Sequence, residues 1–192
     1  ARFALAALSF VCSATAFGQS PENVAVVVNE NSAASQVIAQ DYIKKRGIPD
    51  ANVIRLHAPA DETVDRSTYV GAIEQPIAAS LARGALQDRI LYIVLTKGVP
   101  LRIAGSVGQE GTMASVDSEL TLLYRKMTGQ SAPVSGHVPN PYFLGQRAIT
   151  DAQRFSHRDY DIYLVTRIDA FTVEEAQMLV DLALKPSTAG RV

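Results

Sequence analysis

Six polar residues follow segments of the sequence that have the composition of buried strands. They are Asn29 and Glu30 after residues 24–28, Thr96 and Lys97 after residues 90–95, and Arg167 and Asp169 at the end of residues 162–168. Ligands of open α/β sheets bind beyond the carboxyl ends of parallel strands, so these side chains should converge on one cleft. Asp117 lies at the start of a predicted helix that follows the turn after residues 90–95, and it should join them. These seven residues are the candidate ligand-binding set; the alternative is that they are ordinary loop residues.

Three of these residues, Lys97, Arg167 and Asp169, carry charges that could act on a ligand. Lys97 follows the apolar segment of residues 90–95, at the predicted end of a buried strand. There it could anchor an anionic group or lose its proton through desolvation. A solvated turn lysine is the alternative. Arg167 and Asp169 alternate to the same side of an extended chain, so they would form a structural ion pair or bracket a ligand. We assign no catalytic residue.

The remaining titratable residues are weaker candidates. Asp117 and Glu119 are two residues apart in a helix, which points their side chains about 200° apart and makes them a poor carboxylate dyad. Helix capping and dipole compensation explain both. His57, at a strand end, is expected to be partly buried. His157 and Asp159 precede the last strand and so lie at the opposite edge from the cleft. We predict no metal site and no cofactor.

The apolar segments and the residues between them predict the fold class. Residues 90–95 form a continuous aliphatic and aromatic block, typical of a strand buried on both faces of a parallel sheet. Residues 24–28, 53–57 and 162–168 are the other strands, and helical patterns separate them. This alternation predicts an α/β three-layer domain with a mostly parallel four-stranded sheet flanked by helices.

Capping and breaking residues locate the helices between these strands. The residues positioned as N-caps are Ser32, Ser115 and Thr172, the last in a capping box with Glu175. Ser67 or Asp65 could cap a further helix, which Pro76 either kinks or restarts. Residues 105–113 and 128–141, rich in glycine and proline, are predicted loops.

The first eighteen residues resemble a secretory signal peptide. Arg2 provides a positive n-region, residues 3–11 form an apolar h-region too short for a membrane span, and residues 16–18 form a cleavage site. We therefore predict an exported protein, periplasmic or secreted. Residues 19–192 would be a single α/β domain, incomplete at its C-terminal end. Cys12, the one cysteine, would leave with the signal, which excludes a cysteine nucleophile and disulfides from this segment.

Charge and motifs narrow the function further. Without Arg2 the chain has 17 basic and 19 acidic residues, so its net charge favours neither nucleic acid nor an anionic membrane as a partner. The sequence fingerprints of dinucleotide sites, phosphate-binding loops, α/β-hydrolase elbows and zinc peptidases are absent. Gly98 follows Lys97, the reverse of the order in a phosphate-binding loop. Dinucleotide oxidoreductases, P-loop NTPases and α/β-hydrolases are therefore weak candidates.

Several segments together resemble the amino-terminal half of a family of uncharacterised secreted bacterial proteins. In order they are ENVAVVVNENS, DYIKKRGIP with NVIRL, DRILYIVLTKGVPLRI, ASVDSELTLLYR, NPYF and DIYLVTRID. That family is more remotely similar to the gingipain-type cysteine peptidases of the caspase-like clan. The features shared with the peptidases are a Val-Pro-x-x-Ile turn at residues 99–103, a Ser-Asp block at Ser115 and Asp117, and a strand ending in Arg167 before a capped helix.

The resemblance implies a fold and carries over no catalytic residue. In those peptidases this region is an amino-terminal subdomain, and the His-Cys dyad comes from a later one. The first hypothesis is thus an exported protein of unknown biochemical activity that resembles the non-catalytic amino-terminal subdomain of a caspase-like hydrolase. It would be either a hydrolase whose catalytic residues lie beyond Val192 or a relative that has lost them, with a C-terminal subdomain of the same full-length protein as its partner. The alternatives are a cell-envelope binding module that recognises a peptide, glycan or small anion at the strand ends, and a small-molecule enzyme using Asp117, Lys97 and Arg167.

Overall fold

The structure, a computed structural model, describes residues 20–105, 113–132 and 138–185. The predicted signal peptide and parts of both predicted loops lie outside these ranges. The strands of the described residues are β1 (Val24–Asn29), β2 (Val53–Leu56), β3 (Thr63–Asp65), β4 (Tyr92–Thr96), β5 (Arg102–Ala104), β6 (Met113–Ser115) and β7 (Leu164–Ile168). The four predicted strands correspond to β1, β2, β4 and β7, with ends that differ by one or two residues.

The main sheet is four-stranded and all parallel, in the order β2-β1-β4-β7. Val27 of β1 pairs with Ile54 of β2 on one side and with Leu95 of β4 on the other, and Leu95 in turn pairs with Arg167 of β7. The predicted parallel four-stranded sheet is confirmed. All four strands end at one edge, which brings their following loops together.

Helices connect the strands and cover both faces of the sheet. They are α1 (Ala33–Arg46), α2 (Arg66–Tyr69), a π-helical turn (Val70–Glu74), α3 (Gln75–Arg83), α4 (Val116–Thr121), α5 (Leu123–Met127) and α6 (Val173–Ala183). The predicted caps Ser32, Ser115 and Thr172 each accept a backbone hydrogen bond from the first turn. Asp65 rather than Ser67 caps α2. Pro76 does not restart a helix, because residues 66–83 are helical throughout, with the π-helical turn directly before it and helical backbone angles at Glu74 and Gln75.

The core has one cluster on each face of the sheet, as the alternation of side chains along β1 requires. Ala25 and Val27 pack in a large cluster with residues of α2 to α5, among them Ile77 and Leu120. Val24, Val26 and Val28 face the other way and pack with Ala39 of α1. Helix α6 lies beside α1. The α/β domain therefore has three layers.

A second, three-stranded sheet, in the order β3-β5-β6, was not predicted from the sequence. Strand β3 is parallel to β5, and β6 is antiparallel to it. Each of these strands has three residues, too few to show the two-residue alternation that identifies a strand in a sequence. The second sheet holds the turn after β4 against the start of α4, where Val116 N donates to Leu101 O at 3.0 Å.

Within the described ranges, every helix is too short or too polar to cross a bilayer.

Candidate functional site

Asn29, the last residue of β1, is fully buried and joins three loops. Its Nδ2 donates to Gly98 O at 2.7 Å and to Pro59 O at 3.3 Å. Its Oδ1 accepts from the backbone N of Asn31 at 3.2 Å. A buried amide that binds backbone groups on three loops stabilises the edge and has little capacity left for a ligand.

Thr96, the last residue of β4, lies in the same buried layer. Its Oγ1 donates to Val27 O at 3.0 Å and lies 2.6 Å from the hydroxyl of Ser35 in α1. Ser35 Oγ also accepts from Asn29 N at 2.8 Å. This chain of hydroxyls ties the first turn of α1 to β1 and β4, so Thr96 has a structural role in the predicted cleft.

Gly98 allows the turn after β4 to approach α1. It has a φ of +93°, and a Cβ at this position would lie 2.1 Å from Ser32 Oγ and 2.6 Å from Ser32 Cβ. Both the backbone conformation and the space therefore require glycine. The turn after β4 therefore packs directly against the start of α1.

Lys97 binds the loop after β7. Its Nζ lies 3.1 Å from Asp169 Oδ1 and 2.7 Å from Ala170 O, and both charged side chains are one-third exposed. Asp169 also accepts from the backbone N of Ala170. Lys97 is therefore neither a freely solvated turn lysine nor an unpaired anchor, because it fixes the loop that leads into α6.

Arg167 pairs with Asp117 and not with Asp169, so the ion pair between Arg167 and Asp169, one of the two predicted alternatives, is wrong. Its Nε and one terminal nitrogen bind the two carboxylate oxygens of Asp117 at 3.1 and 2.5 Å, and its terminal nitrogens also donate to Val99 O and Pro100 O at 2.6 and 3.0 Å. The side chain is only 8% exposed. Because β7 ends at Ile168, Asp169 no longer follows the strand's alternation.

Asp117 and Glu119 point to different partners, as their spacing in α4 predicts. Glu119 is buried and binds both terminal nitrogens of Arg66 at 2.6 Å. The pKa of Arg66 is raised above its usual value by this hydrogen-bonded carboxylate. Nothing in the local sequence marks Arg66 as the partner, since the two residues are 53 positions apart.

Glu30 and His57 lie on the outer side of the edge. Glu30 is 3.2 Å from an Arg55 nitrogen and 3.4 Å from His57 Nε2. His57 is 72% exposed, so the expectation that it is partly buried is wrong. It follows β2, which borders the sheet, and so has no neighbouring strand to cover it.

A shallow cavity of about 290 Å³ opens between the first turn of α1 and the loops after β2, β4 and β7. Its lining comprises Ser32, Ala34, Ala60, Asp61, Glu62, Lys97, Gly98, Val99, Leu101 and Asp169. Of the seven predicted residues, only Lys97 and Asp169 line it. Asn29 and Thr96 lie in the buried layer of the edge, Arg167 and Asp117 form a separate clamp, and Glu30 is on the outer surface. The seven predicted residues thus lie in four separate groups of contacts and not in a single cleft.

The opposite edge of the sheet holds His157 and Asp159, as predicted. His157 Nε2 lies 2.7 Å from Ile90 O, and its ring stacks on that of Tyr124 with centroids 3.8 Å apart. Asp159 accepts a hydrogen bond from Ser156 Oγ. Among the residues that the structure describes, no three His, Cys, Asp or Glu side chains are grouped so that they could hold a metal ion.

Comparisons with protein-family models, curated proteins and solved structures find no match for this chain. The resemblance to caspase-like peptidases therefore stays a prediction from the sequence.

Proposed function

We propose that this chain is a non-catalytic α/β scaffold of an exported protein, resembling the amino-terminal subdomain of a caspase-like hydrolase. The proposal rests on the contacts that the two cations at the strand ends, Arg167 and Lys97, make with neighbouring loops. Arg167 binds two backbone carbonyls and Asp117, and Lys97 binds a backbone carbonyl and Asp169. Both cations are engaged in holding loops together, which supports a structural role over a catalytic one.

The hydrogen bonds of Arg167 support a structural role over a ligand-binding one. A guanidinium has five N–H donors, and four contacts to Asp117, Val99 and Pro100 use most of them. An anionic ligand would have to displace a carboxylate that already binds in bidentate geometry. The Arg167–Asp117 clamp therefore serves to orient the turn after β4.

The test is an assay of the full-length exported protein that contains this chain. The protein should be prepared without its signal and assayed for peptide hydrolysis with and without a thiol alkylator. Turnover that the alkylator abolishes, and that Arg167→Met weakens in proportion to the loss of folded protein, would support a scaffold for a cysteine nucleophile outside this chain. Absence of turnover, or of any cysteine in the mature full-length protein, would contradict it.

A binding module is the second candidate, and the cavity beside Lys97 favours it. Its lining has the carboxylates of Asp61, Glu62 and Asp169 but only one ammonium group. This balance favours a basic or neutral polar group, such as a peptide side chain or a glycan, over a small anion. Nuclear magnetic resonance titration with a lysine-containing peptide, a neutral oligosaccharide and phosphate would test whether the cavity prefers the first two ligands to the anion. Shifts confined to phosphate would contradict the expected preference.

A further inference from the structure

A cluster of four charges of alternating sign joins four helical segments. Arg66 of α2 binds both carboxylate oxygens of Glu119 in α4 at 2.6 Å. Lys126 of α5 lies 3.9 Å from Glu119 and 2.6 Å from Glu74, which belongs to the π-helical turn. All four side chains are less than one-third exposed. The cluster is therefore a strong, partly buried attachment, although none of its members lines the cavity beside Lys97.

The Arg66–Glu119 pair holds the two borders of the second sheet together. Strand β3 is followed directly by α2, and β6 is followed directly by α4. These two strands border the sheet, with β5 between them. The pair thus joins the helices that follow the borders, across the central strand. Strands of three residues form few ladder hydrogen bonds, so the ion pair adds an attachment that strand pairing alone does not supply.

The residues that precede β3 and β5 form one wall of the cavity. Glu62 O accepts from Leu101 N at 2.8 Å, and Leu101 O accepts from Val116 N at 3.0 Å. Both Glu62 and Leu101 line the cavity. A change in the spacing of β3, β5 and β6 would therefore move this wall.

Helix α4 connects the cluster to the same wall by a second route. Asp117 lies two residues before Glu119 and binds Arg167, which also donates to Val99 O and Pro100 O. Val99 lines the cavity. Because α4 is a single short helix of six residues, a displacement at Glu119 also moves Asp117.

We propose that Arg66 and Glu119 are positioning residues that set the shape of the cavity without lining it. They act through the second sheet on Leu101 and through α4 on Val99. The inference deepens the binding module, the second candidate function, and only its ligand measurement rests on that candidate.

The first test is the nuclear magnetic resonance spectrum of the full chain with labelled valine and leucine methyl groups. We expect Arg66→Met to shift the methyl signals of Val99 and Leu101. Glu119→Gln should shift them in the same direction and less far, because glutamine keeps the size of the side chain and loses its charge. Both variants would populate the same displaced wall to different extents. Glu119→Gln keeps the test decisive if Arg66→Met folds poorly.

Arg125→Met is the matched control for a general loss of stability. Arg125 binds the two carboxylate oxygens of Asp161 at 2.8 and 2.9 Å and is 20% exposed, against 28% for Arg66. Its pair joins α5 to the segment before β7, at the opposite edge of the main sheet. The control should be less stable than the wild type and leave the methyl signals of residues 99 and 101 unchanged. Equal shifts in both arginine variants, or none in either, would overturn the proposal.

The second measurement separates the positioning role from the binding candidate. For a lysine-containing peptide, we expect Arg66→Met to raise the dissociation constant about threefold or more and Arg125→Met to leave it unchanged. Peptide binding with the same dissociation constant in both variants would also overturn the proposal. If the wild type binds no peptide, the binding candidate fails, and the methyl signals alone decide whether Arg66 positions the wall.

Discussion

The two edges of the main sheet are held by different kinds of contact. At the carboxyl-terminal edge, Asn29, Lys97 and Arg167 each bind backbone carbonyls of neighbouring loops. At the amino-terminal edge, aromatic rings pack together, with Tyr124 stacked on His157 and edge-on to Tyr163 at 5.5 Å. The carboxyl-terminal edge is held by polar bonds without ring contacts among these three residues, whereas the amino-terminal edge combines packed rings with hydrogen bonds such as that between His157 Nε2 and Ile90 O.

This difference implies different tolerance of substitution. A polar side chain that satisfies backbone groups cannot be replaced without leaving those groups unpaired. Aromatic packing depends on shape and area, so a ring of similar size can substitute for another. We therefore expect the carboxyl-terminal edge to be rigid and intolerant, and the amino-terminal edge to accept conservative changes.

The largest effect is expected for Gly98→Ala. The φ of +93° is unfavourable for alanine, and its Cβ would overlap Ser32. Together these should lower the free energy of unfolding by roughly 3–4 kcal/mol, measured by urea denaturation. Gly47→Ala is the matched control, since Gly47 also has a positive φ but nothing within 4 Å of a Cβ. It should cost about 1 kcal/mol, and equal losses in the two variants would show that the approach of Ser32 is unimportant.

Arg167→Met should have the next largest effect. It leaves Asp117 and the carbonyls of Val99 and Pro100 without their partner in a nearly buried site. We expect a loss of roughly 2–3 kcal/mol in the free energy of unfolding. Lys97→Met removes a more exposed ion pair and should cost less than about 1 kcal/mol. A Lys97→Met protein less stable than Arg167→Met would contradict this ranking of the two cations.

At the amino-terminal edge, His157→Phe should change the stability by only about 1 kcal/mol. Phenylalanine keeps the stacking on Tyr124, loses the hydrogen bond to Ile90 O and removes Nδ1, a buried nitrogen that has no hydrogen-bond partner among the residues that the structure describes. His157→Ala removes the ring and should cost roughly 3 kcal/mol. Thermal and urea unfolding of both variants would check this, and equal losses would show that the hydrogen bond, and not the ring, holds the edge.

The smallest effect is a dependence on alkaline pH. Burial, with a hydrogen bond to Asp88, raises the pKa of Tyr124 to about 12. A tyrosine whose pKa is raised on folding stabilises the fold below the unfolded pKa near 10, and this contribution is lost as the pH rises towards 12. The free energy of unfolding should fall by less than about 1 kcal/mol by pH 10.5. The fall should be shallower in Tyr124→Phe, and an identical slope would assign it to other groups.

The parts of the fold that depend on local sequence were predictable. Caps such as Ser32 and Thr172 act on residues three positions away, and the apolar block of β4 is visible directly in the sequence. The Arg167–Asp117 clamp joins residues 50 positions apart, and no local pattern selects that partner. The ion pair between Arg167 and Asp169, one of two alternatives, was wrong because it assumed an extended chain beyond Ile168.

Prediction of the site relied on the rule that ligands of open α/β sheets bind beyond the carboxyl ends of parallel strands, and this rule limited it. Parallel strands do bring their following residues to one edge, as Asn29, Thr96 and Lys97 show. The rule does not say which side chains face solvent and which bind the neighbouring loops. That choice depends on the positive φ of Gly98 and on the second sheet, whose three-residue strands carry no recognisable pattern.

The central claim is that the strand-end charges hold loops together, and a double-mutant cycle on Arg167→Met and Asp117→Asn tests it most directly. Urea unfolding of the wild type, both single variants and the double variant gives the coupling energy of the pair. We expect a coupling of about 1 kcal/mol or more, with the double variant little less stable than Arg167→Met alone. Coupling near zero, with both single variants as stable as the wild type, would show that the clamp does not stabilise the fold and would return both residues to the set of candidate ligand-binding groups.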